Sequence, residues 1–385
     1  MKIKSVETFK LNLLPRKPQT AARRPSAVKI VPHPINRYPE FSRTFGGIPG
    51  QSAKHMWVKI TAENGEFGLG LCRWGDVLDP LIRHHYAPML VGRDCFAHEF
   101  LNDLLWRMMQ RPGDRGLSTI ARSAIDLALW DLKGKLLQQP VYRLLGGPCR
   151  DAITYYCTSD ELDWAMELGF SAFKISNPVY HDQGTEGLNL IEELVAKARE
   201  TVGPAADLMI NPVMCYNVES AARLMERLKP YNLRWFEEPL MPWDIQGLVE
   251  LKRAVPTVPI ATGENQYGRH VFREMIERRC VDVLQPDLHF CGGMTEAVKI
   301  HTLGEAAGIA TILHNVFDGP GQHFSYAMTE SPLAEFWLDS DPGVPLAEAI
   351  QIPGTPTPVN GKLVPSDAPG FGFEIREQDL TPWPG

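Results

Sequence analysis

Six polar residues in the second half of the chain follow one another at a nearly constant step. Asn211, Glu237, Glu264, Asp287, His314 and Glu335 are separated by 26, 27, 23, 27 and 21 residues. Short apolar runs precede several of them: LMI before Asn211, RWF before Glu237, VDVLQP before Asp287 and ATIL before His314. A strand, a loop and a helix together need a stretch of that length. The step therefore predicts an α/β fold of the (β/α)8-barrel (TIM-like) type, with one polar group at the carboxyl end of each successive strand, where barrel enzymes carry their chemistry. A doubly wound open sheet would show similar alternation, but eight units with polar strand ends favour closure.

The strand signals fall at Ile153–Tyr156, Ala172–Ile175, Asp207–Ile210, Leu233–Phe236, Val258–Ala261, Val281–Leu284, Ile309–Leu313 and Glu335–Leu338, with helical periods between them, as at Leu188–Thr201, Val218–Leu228 and Thr295–Ala307. Ahead of them, residues 1–14 and 55–72 alternate like antiparallel strands, with Asn64-Gly65 as a hairpin turn. Residues 76–147 carry helical periodicity; STIARSAIDLALWDLKGKLL offers Ser118 as an N-cap and Pro140 as a stop. The tail holds Pro-rich turns and one strand-like run, Gly370 to Ile375. The expected organisation is an α+β capping domain over 1–147, a barrel over 148–345, and a tail over 346–385 that returns to the cap.

A chain of 385 residues with 44% hydrophobic content can build both cores. The net charge of −7 argues against general nucleic-acid affinity, and no apolar stretch is long enough to span a membrane. Seven cysteines without CxxC or zinc spacing suit a reducing cytoplasm, and the start MKIKSVETFKLNLL alternates like a strand, unlike a signal peptide. Charge is uneven, however. Residues 1–50 hold ten Lys or Arg against Glu7 and Glu40, mostly within a Pro-rich stretch from Arg16 to Gln51. Such a loop is either a solvated arm or a basic flap suited to an anionic substrate.

Asn211, Glu237 and Glu264 at the ends of consecutive strands would form a hard-oxygen site suited to Mg²⁺; the alternative is a set of ordinary polar strand ends. A bound Mg²⁺ can hold a substrate carboxylate and stabilise the enediolate left by loss of its α-proton. Glu238 should point away from Glu237 on a pleated strand, and Asp207 lies roughly 13 Å before Asn211 at about 3.3 Å per residue, too far to replace it. His314 and Asp287 end adjacent strands, where the carboxylate would fix the tautomer of the imidazole and raise its basicity. A lone His after an apolar run is otherwise a satisfied core residue. Lys174 points into the mouth together with Ser176. Serine cannot supply the second base that a racemase needs on the opposite face.

The run ARSAIDLALWDLKGK, then PVYRLLGG, WFEEP at 235–239, TGEN at 262–265, QPD at 285–287, Cys291-Gly292-Gly293 and His314 resemble the enolase superfamily, mandelate racemase branch, over nearly the whole chain. Within it, the single strand-2 lysine, PYNLRW, the segment Ser42-Arg43 with Phe45-Gly46, and the ending PGFG resemble the L-rhamnonate dehydratases. The resemblance implies a cap-plus-barrel fold, one Mg²⁺, an acid-sugar substrate, and syn elimination of water to a 2-keto-3-deoxy acid. It implies Glu237 and Glu264 as metal ligands beside Asn211, His314 as general base and acid, and Asp287 as its orienting partner. Glu335 becomes a protonated group bonded to the substrate carboxylate, Lys174 a substrate contact, and His33 and Arg43 cap residues that bind the sugar acid. An even-numbered homo-oligomer, such as an octamer, is the assembly it suggests.

Asn211 departs from the aspartate of that pattern, lowering the formal ligand charge from −3 to −2. Three readings follow: a dehydratase that tolerates the amide, a silent homologue that binds a sugar acid, or an altered form of an aspartate enzyme. A racemase or epimerase is the remaining rival, and Ser176 counts against it.

Overall fold

The computed structural model describes residues 1–12, 18–26, 33–38, 41, 55–349 and 352–384. The cap begins with β1 (Ile3–Leu11), β2 (Met56–Ala62) and β3 (Phe67–Cys72), paired antiparallel, with Asn64-Gly65 in the tight turn between β2 and β3. β2 and β3 are buried over nearly their whole length, with Val58, Ile60, Leu69 and Leu71 in the core. The helix Leu117–Leu136 lies against this sheet, and β3 admits it closely because two of its residues are glycines. A Cβ on Gly68 would stand 2.1 Å from the Ala128 carbonyl oxygen, and one on Gly70 2.0 Å from that of Ala124. Any side chain there would force the helix away.

That helix starts one residue before the expected cap. Gly116 occupies the N-cap, and Ser118 lies inside the first turn, its hydroxyl donating to the Gly113 carbonyl at 2.6 Å. The opposite face of the helix grips the barrel. Asp126 accepts from the Thr295 backbone N–H at 2.9 Å, Trp130 Nε1 donates to Thr295 Oγ1 at 2.9 Å, and the Gly292 N–H donates to Ser123 Oγ at 2.9 Å. The run ARSAIDLALWDLKGK is thus the joint between the cap and the barrel.

Eight parallel strands form the barrel: β4 (Ile153–Thr158), β5 (Ala172–Ser176), β6 (Asp207–Asn211), β7 (Trp235–Glu237), β8 (Ile260–Thr262), β9 (Val283–Leu284), β10 (Ala310–Thr311) and β11 (Ala334–Trp337). They pair in chain order from β4 to β10, and β11 pairs with β4. Among the described residues no ladder joins β10 to β11. Loop bonds close that seam: Thr311 N–H to the Glu330 carbonyl at 2.8 Å and Val316 N–H to that of Glu335 at 3.2 Å. The sheet is therefore curled, with β9 and β10 only two residues each. Inside it, Tyr156, Met209, Trp235, Ala261 and Ile312 make a closed apolar plug, with Trp235 edge-on to Tyr156 at 5.4 Å.

Helices cover the outside. Val218–Leu228 shows why: an Asn217–Ser220 capping box opens it, and Ala221, Leu224, Met225 and Leu228 recur at helical spacing and are buried. Truncating Leu224 to alanine would cost about 2–5 kcal/mol. The tail contributes β12 (Lys362–Leu363), antiparallel to β4, and β13 (Leu380–Pro382), antiparallel to β1. The strand expected over Gly370–Ile375 does not form. Its backbone is tied elsewhere, by a single bridge from Gly370 to Pro140 and by the Phe371 N–H donating to Asp131 Oδ1 at 2.9 Å. No helix among the described residues is long and apolar enough to cross a membrane.

Candidate active site

The polar ladder converges on the carboxyl-end mouth of the barrel, although its members do not all sit at strand ends. Asn211 and Glu237 close β6 and β7, whereas Glu264, Asp287 and His314 lie in the turns after β8, β9 and β10. Glu335 is the second residue of β11, and its register partner is Tyr156. Lys174, in the middle of β5, is 1% exposed and forms ion pairs with Glu237 and, at 2.7 Å, with Glu335.

Glu237 is saturated with donors. Besides Lys174, its Oε1 accepts from Asn211 Nδ2 at 2.9 Å, while Oε2 accepts from Trp235 Nε1 and Gln285 Nε2, both at 2.9 Å. Glu335 accepts from Thr158 Oγ1 at 2.5 Å and from the Asn315 N–H at 2.7 Å. These contacts correct the expectation of a protonated Glu335. Burial disfavours its charge, but Lys174, His314 and the Thr158 bond outweigh burial and hold the carboxyl at about 2. It is an acceptor.

Glu238 also departs from expectation. β7 ends at Glu237, so the pleat does not carry on, and Glu238 takes a left-handed φ of 43°. Its buried carboxylate turns toward β8, accepting from Thr262 Oγ1 and, at 2.8 Å, from the Gly263 N–H. This acid and the donors Trp235 and Gln285 were missed by sequence reasoning. The doublet in WFEEP was the available signal for Glu238; nothing local marks the other two.

His314 Nδ1 lies 2.8 Å from Asp287 Oδ2, and its Nε2 is 3.4 Å from Glu264 and 4.0 Å from Glu335. Asp287 is fully buried and also accepts from the His289 N–H at 2.7 Å. Burial opposes charge on His314, yet Glu264, Asp287 and Glu335 raise its pKa to about 10. Glu264 is pushed the other way, up to about 7, by burial and by the charges of Glu238 and Glu237, against the pull of His314. Nε2 makes no hydrogen bond among the described residues, and His314 lines the mouth.

A cavity of about 760 Å³ opens above these groups, bounded by His314, Asn315 and Glu335 below and by Lys10, His55 and Arg73 of the cap. The described lining does not include His33, whose Nδ1 is 3.3 Å from the Ile35 N–H and whose pKa is lowered by burial. Arg43 lies outside the described residues. Ser176 ends β5, its N–H donating to Asp160 at 2.9 Å.

The donor set suits a hard cation. Four buried carboxylates (Glu237, Glu238, Asp287 and Glu335) and the partly exposed Glu264 meet buried Lys174 and partly exposed His314, a surplus of negative charge that adds to burial in raising Glu264. Asn211 is the weak member. Its Nδ2 faces Glu237, while its Oδ1 accepts from the Val213 N–H at 2.8 Å. An aspartate could not donate to Glu237 in that way. Among the described residues no group of three or more His, Cys, Asp or Glu is arranged to hold a metal.

Residues 28–146 match the mandelate racemase / muconate lactonizing enzyme N-terminal domain, and residues 159–379 match the enolase C-terminal domain-like family. The chain belongs to the enolase superfamily. Among its relatives in that superfamily, an L-rhamnonate dehydratase from Saccharopolyspora erythraea is 35% identical over 351 residues, 90% of this chain and 89% of that protein. The structure of rhamnonate dehydratase from Gibberella zeae complexed with Mg aligns with a TM-score of 0.89 at 31% identity, covering 99% of this chain and 96% of that one. A 3,6-anhydro-D-galactonate cycloisomerase from Zobellia galactanivorans aligns at 0.78 and 26% identity. The superfamily fold, cap on barrel, is the one described above.

Proposed function

We propose that the chain is an acid-sugar dehydratase, acting on L-rhamnonate or a related sugar acid with Mg²⁺. The observation that carries this reading is the one-sided arrangement of bases. His314, oriented by Asp287, presents Nε2 to the cavity, while β5 offers Lys174, tied to two carboxylates, and Ser176, which is no base. Relatives named L-rhamnonate dehydratase support the substrate class.

In this reading Lys174 and the strand-end groups position the substrate carboxylate. His314 Nε2 takes the C2 proton, the C2–C3 double bond forms as the C3 hydroxyl departs, and the proton held on Nε2 goes to that hydroxyl as water leaves. The enol then tautomerises to the 2-keto-3-deoxy acid. Glu237 and Glu264 would hold Mg²⁺, with the Asn211 amide oxygen as third donor. When bound, it would stabilise the negative charge that develops on the substrate carboxylate. His314 has to be neutral to act as base, and a cation at Glu264 would remove the charge that most raises its pKa. Asp287 keeps the proton of the neutral imidazole on Nδ1.

The decisive test is incubation with a panel of aldonates and Mg²⁺, followed by assay of 2-keto acids; absence of product from every acid sugar would sink the dehydratase. A second reading, a silent sugar-acid binder, is favoured by the Asn211-to-Glu237 hydrogen bond, which satisfies Glu237 without a cation. Binding of aldonates without turnover would establish it. Inverted substrate recovered from D₂O with deuterium at C2 would instead indicate an epimerase.

A further inference from the structure

The cap contributes a cationic rim that the sequence motifs did not mark. β1, β2 and β3 run antiparallel, with Phe9 opposite Trp57 and Met56 opposite Cys72. Lys10 near the end of β1, His55 just before β2 and Arg73 just after β3 therefore share one edge of the sheet, and that edge lines the cavity over His314. His55 is kept neutral, pushed down to about 4 by burial and by the charges of Arg73 and His289. The charge on this edge comes from Arg73 and Lys10.

Arg73 is the unusual member. Its guanidinium carbon stands 5.6 Å from the Phe290 ring centroid, and its Nε is buried without a hydrogen-bond partner among the described residues. A buried donor on a permanently charged fork is costly to leave unpaired. The acids of the lining belong to the barrel side: Glu335, already bonded to Lys174, Thr158 and Asn315, and Asp339 just beyond β11. Lys10 is engaged with Trp383, 5.3 Å from its ring centroid.

We infer that Arg73 binds the end of the substrate remote from the reacting carbons, and that it selects acid sugars carrying a second carboxylate there, the aldarates, over those ending in a methyl or hydroxymethyl group. The planar guanidinium matches a carboxylate with two parallel hydrogen bonds, which neither terminal group can accept in that form. Discrimination follows because a methyl end would leave the buried Nε–H of the half-buried guanidinium unpaired. The inference rests on the acid-sugar dehydratase reading for its reaction and narrows the substrate.

The test is a specificity ratio: kcat/KM for galactarate or glucarate divided by kcat/KM for galactonate or L-rhamnonate, each measured on the same preparation, so that any misfolded fraction cancels. The unaltered enzyme is expected to favour an aldarate at least tenfold. Arg73→Met is expected to lower that ratio at least tenfold through KM for the aldarate, and Arg73→Lys to recover part of it. A ratio below one in the unaltered enzyme, or one that Arg73→Met does not change, overturns the inference while leaving the dehydratase intact. If no acid sugar is turned over, the dehydratase reading fails, and calorimetric binding of galactarate decides the inference instead. At least tenfold weaker binding to Arg73→Met supports it, and equal binding overturns it.

Discussion

Two histidine–aspartate pairs lie near the mouth of this barrel, with the same 2.8 Å contact and different surroundings. In the first, His314 Nδ1 meets Asp287 and Nε2 looks into the cavity, leaving the imidazole 16% exposed. In the second, His289 Nε2 meets Asp318, but Nδ1 is 3.3 Å from the Leu71 carbonyl and the side chain is 2% exposed. Both ring nitrogens of His289 are occupied, one on the barrel and one on cap strand β3. Burial lowers its pKa, and Asp318 and Asp287 more than restore it. The comparison bears on the proposed roles: His314 Nε2 makes no hydrogen bond among the described residues, only ion pairs with Glu264 and Glu335, and is the nitrogen proposed as base, whereas His289 is bonded at both nitrogens.

The sharpest way to break the contrast is to remove each imidazole. His314→Asn is expected to lower turnover per folded molecule by about 10³-fold or more, consistent with loss of a general acid–base group. Equal loss on His289→Asn would erase the distinction. Instead, that variant should cost about 3–5 kcal/mol of stability in denaturant unfolding, because it leaves the Asp318 carboxylate buried without its partner, while turnover per folded molecule changes only a few-fold. Asp287→Asn tests the orienting half of the open pair. It should cut kcat by about 10²-fold, within the range of acid–base contributions, and leave KM nearly unchanged.

A smaller effect is expected at Asn211. Asn211→Asp replaces a hydrogen bond to Glu237 with a third ligand charge, and should tighten Mg²⁺ binding in calorimetry by about tenfold, the equivalent of 1.4 kcal/mol. Unchanged or weaker affinity would show that the amide is not a deficient ligand. The last prediction concerns pH. Since His314 is raised from 6.5 to about 10, its stabilising contribution is fully present below pH 6.5 and is lost as pH climbs through about 10. Unfolding free energies of His314→Asn should therefore fall less steeply across that interval than those of the unaltered chain. Added Mg²⁺ should move the His314 titration, followed by NMR, to lower pH.

Much of the scaffold was legible because the β/α step repeats. The helix Val218–Leu228 falls on the residues its apolar period indicates, and β6 extends the expected strand by one residue, Asn211. Short strands were read less well. Ile309–Leu313 shrinks to Ala310–Thr311 because the seam beside it closes through loop bonds rather than a ladder. Gly370–Ile375 carried a strand-like alternation, but Asp131 claims its backbone.

What the sequence determined by itself was the cast and its order: one polar residue per β/α unit, carried to a common mouth because each follows a strand running the same way. The tertiary structure decided the partnerships. Asp287 and His289 are two residues apart, and His314 and Asp318 four, yet the pairs that form cross between the two loops. Glu335 is ionised because Lys174, two strands away around the ring, reaches it, and Arg73 joins the mouth because a separate sheet edge is laid over it. Charge state and pairing depend on distances through space, and those exist only once the barrel has curled and the cap has docked.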